Sequence, residues 1–330
     1  MAAVREWLRG SGSGGLLVRL LDVLGAPLLA VSLLVGRLYR SVGSQRTPVA
    51  RWLYDRIGVM PVRDHYYEPL VAPRRHISRP LTEPRDLPGV DMRIDAQLEL
   101  VARLRYADEL TAIPRSPNDG LGPFYDNGFF GPGDAEILHG LVRHLRPRMF
   151  VEVGSGHSTR FVRNALVLNR RDDPDSGCDH VCIEPYENPW LEQLGARVIR
   201  QRVEDVPIEV FTSLDRGDVL FIDSSHVARP QGDVTYLFQQ VVPRLASGVV
   251  VHVHDVFTPR DYPDENVFLR RLMWTEQYLV EALLTHTSRL RVLLALNHLH
   301  HDHRDALAAA CPVLARVPAC EPGSFWLEVA

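Results

Sequence analysis

The sequence predicts an α/β fold, a mostly parallel seven-stranded sheet with helices on both faces, preceded by an apolar helix and a loop-rich segment. Short apolar runs alternate with stretches of helical spacing from residue 149 onward, which implies parallel strands joined by crossover helices. Several runs close on a carboxylate, at Glu184, Asp223 and Asp255, the sheet edge where ligands of such folds lie. The first run, Met149-Phe150-Val151-Glu152-Val153, leads straight into Gly154-Ser155-Gly156, whose glycines permit a tight turn and close backbone approach.

In chain order, 10–15 reads as a short Gly/Ser linker and 23–36 as an apolar run flanked by Arg19, Asp22, Arg37 and Arg40. That run is shorter than the roughly 20 residues of a spanning helix, and Pro27 sits in its middle. Residues 16–38 are therefore expected to contact a membrane peripherally, ahead of docking on protein or a true span. The arginines suit an anionic surface. A secretory signal is disfavoured, because the small-residue cleavage pattern is poor. Pro69, Pro73, Pro80, Pro84 and Pro88 make 45–134 a loop-rich stretch, with helical spacing at 95–104. The expected divisions are 1–44, 45–134 and 135–330.

Within the last division, 149–153, 180–183, 196–200, 218–222, 248–253, 291–297 and 324–329 read as strands. Helical spacing marks 160–168, 234–245, which Pro243 shortens, and 305–310. Ser158 and Thr159 suit a helix start, where free N–H groups attract a polar ligand.

A dinucleotide fingerprint asks for a third glycine where Thr159 stands, so a dehydrogenase loses its main support. Glu152-x-Gly154-x-Gly156 instead resembles the first motif of class I S-adenosylmethionine-dependent methyltransferases, with Ser158 in place of the usual third glycine. Asp126-Asn127-Gly128-Phe129-Phe130-Gly131-Pro132-Gly133-Asp134-Ala135, Ile183-Glu184-Pro185, Phe221-Ile222-Asp223-Ser224-Ser225-His226-Val227 and His252-Val253-His254-Asp255-Val256-Phe257 resemble a bacterial subgroup described as methyltransferase domain 24. His65-Tyr66-Tyr67-Glu68-Pro69 and Trp274-Thr275-Glu276-Gln277-Tyr278-Leu279 are similar to it as well, so the likeness covers roughly 58–330.

The resemblance implies a Rossmann-like sheet closed by an antiparallel pair, one strand of which inserts beside the fifth. It implies S-adenosyl-L-methionine held by Glu152, Gly154, Ser155, Gly156, Ser158 and Thr159, with Glu184 on the ribose, Glu204 or Asp205 near the adenine, and Asp223 at the reacting end. It also implies that the N-terminal region forms a lid, with His65, Tyr66 and Tyr67 on the acceptor side. Gly154→Arg is expected to fill the cleft and spare the fold.

Methyl transfer from a sulfonium is an in-line displacement, so positioning and desolvation supply most of the acceleration. A hydroxyl acceptor must also lose a proton. His226 is the expected general base, His254 the second choice, and Asp223 closes the strand beside them. Asp223 and Asp255 are oxygen donors of the kind magnesium prefers, although related enzymes carry two adjacent acids where this chain has His254-Asp255. His252 reads as structural, and His298, His300, His301 and His303 as a polar loop.

A formal charge of -4 and a pI near 6.4 give no basic field, which argues against nucleic acid as a partner. All 37 basic residues of the Lys+Arg count are arginine, which removes any catalytic lysine. Cys178, Cys182, Cys311 and Cys320 form no CxxC pair, against a zinc knuckle or a disulfide framework and in favour of a reducing cytoplasm. The expected function is O-methylation of a small molecule, a sugar, glycolipid or secondary metabolite. The expected location is cytoplasmic or on the inner face of the membrane, and a homo-oligomer is compatible. The alternatives are a hydroxylase-associated protein of the same fold and a non-catalytic membrane-peripheral scaffold.

Overall fold

The computed structural model describes residues 13–118 and 120–330, so most of the linker expected at 10–15 has only its last residues within the described chain. Two compact units divide at Ser78/Arg79 rather than at 44 and 134. Residues 79–134 belong with the sheet because Leu104, Leu110, Ile113, Tyr125 and Phe130 are buried in its core.

In the first unit, α1 (Ser13–Val42) runs unbroken through Pro27. The apolar segment is thus longer than the charge-free run suggests, since Leu17, Val18, Leu20 and Leu21 extend it beyond Asp22. α2 (Pro48–Ile57) starts on a proline that needs no N–H partner there and ends at Gly58, whose φ of 74° lets its N–H reach the Tyr54 carbonyl.

The second unit is built on β1 (Met149–Val153), β2 (Asp179–Ile183), β3 (Arg197–Ile199), β4 (Val219–Ile222), β5 (Val250–Val253), β6 (Leu290–Ala295) and β7 (Phe325–Val329). The order is β3-β2-β1-β4-β5-β7-β6. The first five strands pair in parallel, and β7 runs antiparallel between β5 and β6, as the sequence predicts.

Alternation along each strand splits the core in two. Val151, Val181, Leu220 and Val251 face one layer, which includes Leu237, Val241, Val280 and Leu284. Phe150, Phe221 and Trp326 face the other, with Leu138, Leu141, Phe161 and Ala165. These last four come from α3 (Asp134–Leu145) and α4 (His157–Asp172), which pack against each other. Val280 and Leu284 lie on α5 (Glu276–His286).

Two helical expectations change. Residues 234–245 form a helical turn at Asp233–Tyr236, a wide turn at Leu237–Val241 and a tight one at Val242–Arg244, because Pro243 cannot donate to an α-helical ladder. The histidine-rich stretch expected as a loop is α6 (Leu296–Asp302), followed by α7 (Arg304–Ala310). Leu296, Leu299 and His300 are buried on α6, while His298 and His301 pair with Asp302 and Glu321 at 2.8 Å each.

Candidate active site

At the carboxyl end of β1 the chain turns at Gly154, whose φ is 79° and whose N–H donates to the Ile183 carbonyl at 3.0 Å. A side chain cannot be added there, since a Cβ would stand 1.9 Å from the Asp223 backbone oxygen. The turn therefore abuts the end of β4 backbone to backbone. Gly154→Arg would break this contact and the fold with it, contrary to the expectation that it only fills the cleft.

Glu152, expected among the residues that hold the cofactor, is fully buried. Oε1 accepts from Ser158 Oγ at 2.5 Å and Oε2 lies 3.1 Å from His180 Nε2, with Cys182 Sγ 3.7 Å away. Strand alternation turns this side chain into the core beside β2, so it fastens β1, β2 and α4 and does not reach a ligand. Burial, reinforced by Glu152, drives the Cys182 thiol up and keeps it protonated. Ser158 and Thr159 are buried likewise, and Thr159 Oγ1 accepts the Gly156 N–H at 3.0 Å, closing the start of α4. Of the expected turn residues, the backbone of Gly154, Ser155 and Gly156 forms the cradle.

Asn188 holds that cradle from β2's side, donating from Nδ2 to the Ser155 carbonyl at 3.1 Å. Glu184, just past β2, is half-buried, and Oε1 accepts the N–H groups of Tyr186 and Glu187 at 2.8 and 2.9 Å. Among the described residues no hydrogen bond to Oε2 is formed, so one carboxylate oxygen is left able to accept. Above the start of α4, Phe129 stacks on His157 at 5.6 Å, and the Arg160 guanidinium lies 4.1 Å over the Trp190 ring. Glu204 is half-buried, whereas Asp205 is exposed and paired with Arg202 at 2.9 Å, which lowers its pKa.

The ends of β4 and β5 bring together Asp223, His226 and Asp255. His226 Nε2 lies 3.3 Å from Asp223 Oδ1 and 3.7 Å from Asp255 Oδ2. Nδ1 lies 2.9 Å from Glu276 Oε2, and Ser224 Oγ donates to Glu276 Oε1 at 2.8 Å. Both His226 and Asp255 are non-glycine residues in the left-handed region, at φ 58° and 56°, a strained backbone that surrounding bonds maintain. Here the His226 carbonyl accepts from Thr275 and Glu276 at 2.8 and 3.1 Å. Burial alone would depress the His226 pKa, but Asp223 and Glu276 outweigh it and hold it well above 6.5. Burial would raise Asp223, and His254 and His226 bring it below its ordinary value.

Glu276 was not among the expected site residues, although Trp274-Thr275-Glu276 stood out in the sequence, and Trp274 packs 4.4 Å from the His226 ring. His254, the second-choice base, is almost fully buried against Phe130 and His252, with Nε2 4.0 Å from Asp255 Oδ1. It is placed to hold charge on the acids and not to meet an acceptor. Burial lowers its pKa, and Asp255, Asp223 and Asp134 more than offset this. His252 is buried 4.0 Å from the Phe221 ring, with Nε2 3.1 Å from Ser324 Oγ. His65, Tyr66 and Tyr67 belong to the first unit, where the two tyrosines are exposed and their rings lie 4.1 Å apart.

Residues 151–256 match the family described as methyltransferase domain, and they hold the glycine turn, Glu184, Asp223, His226 and Asp255. With the strand order above, that match decides the class. The chain carries a class I methyltransferase domain. An uncharacterized protein of Archaeoglobus fulgidus is 27% identical to the methyltransferase over 163 residues, 46% of this chain and 72% of that one. Among solved structures, the Bacillus cereus O-methyltransferase in complex with SAH is 14% identical, with 72% of this chain and 91% of that chain covered and a TM-score of 0.34. TomG from Streptomyces achromogenes, an O-methyltransferase involved in tomaymycin synthesis, is 13% identical over 70% and 89% at a TM-score of 0.33. The structure of cmcI with Mg and SAM is 18% identical over 68% and 84% at 0.35.

Proposed function

We propose that this methyltransferase moves the methyl group of S-adenosylmethionine to a hydroxyl of a small molecule, a sugar, glycolipid or secondary metabolite. One observation carries the reading. The glycine turn after β1 touches the Asp223 backbone, and Asp223 in turn lies 3.3 Å from an imidazole set among carboxylates. A donor cradled at the turn and a proton acceptor for the nucleophile are thereby adjacent, as in-line transfer to a hydroxyl requires.

When bound, S-adenosylmethionine supplies a methyl group on a cationic sulfur. The Gly154–Gly156 backbone gives it close approach, and the open Oε2 of Glu184 accepts from its ribose hydroxyls. His226 takes the proton of the acceptor at Nε2 while Glu276 fixes the ring through Nδ1. Asp223 and Asp255 stabilise the imidazolium so formed. The same two carboxylates are partly exposed oxygen donors that fit a magnesium ion, which would lower the acceptor's pKa.

Incubating the purified protein and methyl-labelled cofactor with a host extract, with and without chelator, tests the proposal. A labelled small molecule is expected, and absence of both label transfer and S-adenosylhomocysteine binding by folded protein would end it. Asp223→Ala should lower turnover by about 10²–10⁴-fold and spare much of the cofactor affinity. Full activity in that variant would end the metal proposal.

A further inference from the structure

We propose that α1 spans a lipid bilayer and that α2 lies in the adjoining interface, so that the methyltransferase is an integral membrane protein with its catalytic unit on the cytoplasmic face. Every residue from Leu17 to Val35 is exposed. The segment measures about 28 Å at ~1.5 Å per residue, the thickness of a hydrocarbon core. It belongs to a helix of mean hydropathy 2.0 across its most apolar window.

The exposed side chains point all ways round. Leu24, Leu28 and Val31 lie on one side of α1, Leu29 and Leu33 on the other, and no charge interrupts 23–36. A helix lying flat on a membrane needs a polar face, and this one has none over that length. The Ser32 hydroxyl is satisfied within the helix by the Leu28 carbonyl at 2.9 Å, as hydrocarbon demands. Arg19 and Asp22 stand three residues apart on one face near the outer end, spaced to pair.

The unbroken exposure ends at Gly36, where the chain folds back onto α1, although Leu38, Tyr39 and Val42 stay exposed beyond it. A Cβ at Gly36 would stand 3.2 Å from Pro61, Arg40 pairs with Glu68 at 2.6 Å, and Arg63 reaches Ser41 at 3.4 Å. Contact with the returning chain thus begins one residue after Val35, and its first ion pair is at Arg40. Beyond it, α2 exposes Val49, Trp52, Leu53 and Ile57 on one face, with Arg56 within the same stripe and Arg51 on the opposite side. An apolar stripe that carries a tryptophan and a long arginine side chain able to snorkel is the composition of a helix seated among lipid headgroups. Arg37, Arg40, Arg46, Arg51 and Arg56 follow the charge-free run 23–36 with one acid among them, Asp55, whereas Arg5, Arg9 and Arg19 precede the run with two, Glu6 and Asp22. This excess places the segment after α1, and the sheet unit that follows it, inside.

The full chain expressed in a bacterial host tests this through fractionation, intact mass and a carboxyl-terminal fluorescent fusion. The proposal expects protein of unprocessed mass in the membrane pellet after alkaline carbonate, released by detergent and fluorescent in the cytoplasm. Leu28→Arg should reduce membrane insertion roughly a hundredfold and leave S-adenosylhomocysteine binding unchanged. Trp52→Phe should abolish a fluorescence blue shift on reconstitution into vesicles of phosphatidylethanolamine and phosphatidylglycerol. Carbonate release with retained vesicle flotation would replace the span by surface contact. Soluble oligomers that ignore vesicles would make the face a protein contact, and a chain cleaved after α1 would make it a signal. Each of these outcomes overturns the span, whatever the catalytic unit proves to methylate.

Discussion

Asp223, Asp255 and Glu276 surround one imidazole, so the proton on His226 is held more tightly than on a histidine in water. Because the folded pKa lies above 6.5, this group's contribution to stability is complete below 6.5 and fades as pH rises through the raised value. The proposed transfer needs His226 as the free base, so kcat/KM should rise with pH along a limb displaced to the alkaline side of 6.5. Glu276→Gln removes a carboxylate that raises the pKa, and a pH–rate profile should show the limb moving to lower pH. An unmoved limb would deny Glu276 its positioning role. At Gly154 the backbone conformation alone should cost Gly154→Ala about 1–3 kcal/mol, and the Asp223 oxygen adds to it. Urea denaturation will read this as a lower midpoint, and an unchanged midpoint would refute the contact. The first motif was legible as a turn, but the fate of Glu152 was not. Whether an acid beside a glycine loop faces ligand or core depends on His180 and Ser158, which only folding brings to it.

At the scale of elements, the strands were the readable part, since a parallel sheet covered on both faces demands short apolar runs whatever else surrounds them. Phe221 shows the demand, lying fully buried between the Phe150, Phe130 and His252 rings. Phe221→Ala should lower the unfolding free energy by about 3–5 kcal/mol, measured by equilibrium denaturation. A loss under about 1 kcal/mol would mean that the layer repacks freely. Helices were less legible where tertiary contacts override composition. Polar residues dominate α6, yet Leu296, Leu299 and His300 on one face are enough to seat it. Conversely, the apolar spacing of 234–245 gave no warning that Pro243 would divide it into three kinds of turn.

For the whole molecule, the division at Ser78/Arg79 separates a unit with most of its apolar surface exposed from one with two closed cores. A chain starting at Arg79 should therefore unfold cooperatively by itself and bind S-adenosylhomocysteine, checked by calorimetry. A broad, non-cooperative transition would show that the first 78 residues complete the core. Proline density suggested a continuous loop-rich lid across 45–134, but it reports only where helices and ladders are interrupted. It says nothing of burial, and residues such as Tyr125 and Phe130 are as deeply buried as those in the strands.

The Asp223 carbonyl rests where any side chain on Gly154 would have to go, so the joint proposed to link donor recognition with deprotonation has no slack. Retuning the enzyme toward a larger or differently shaped acceptor cannot proceed by widening that joint. Any such change has to come from residues that touch neither Gly154 nor the Asp223 carbonyl.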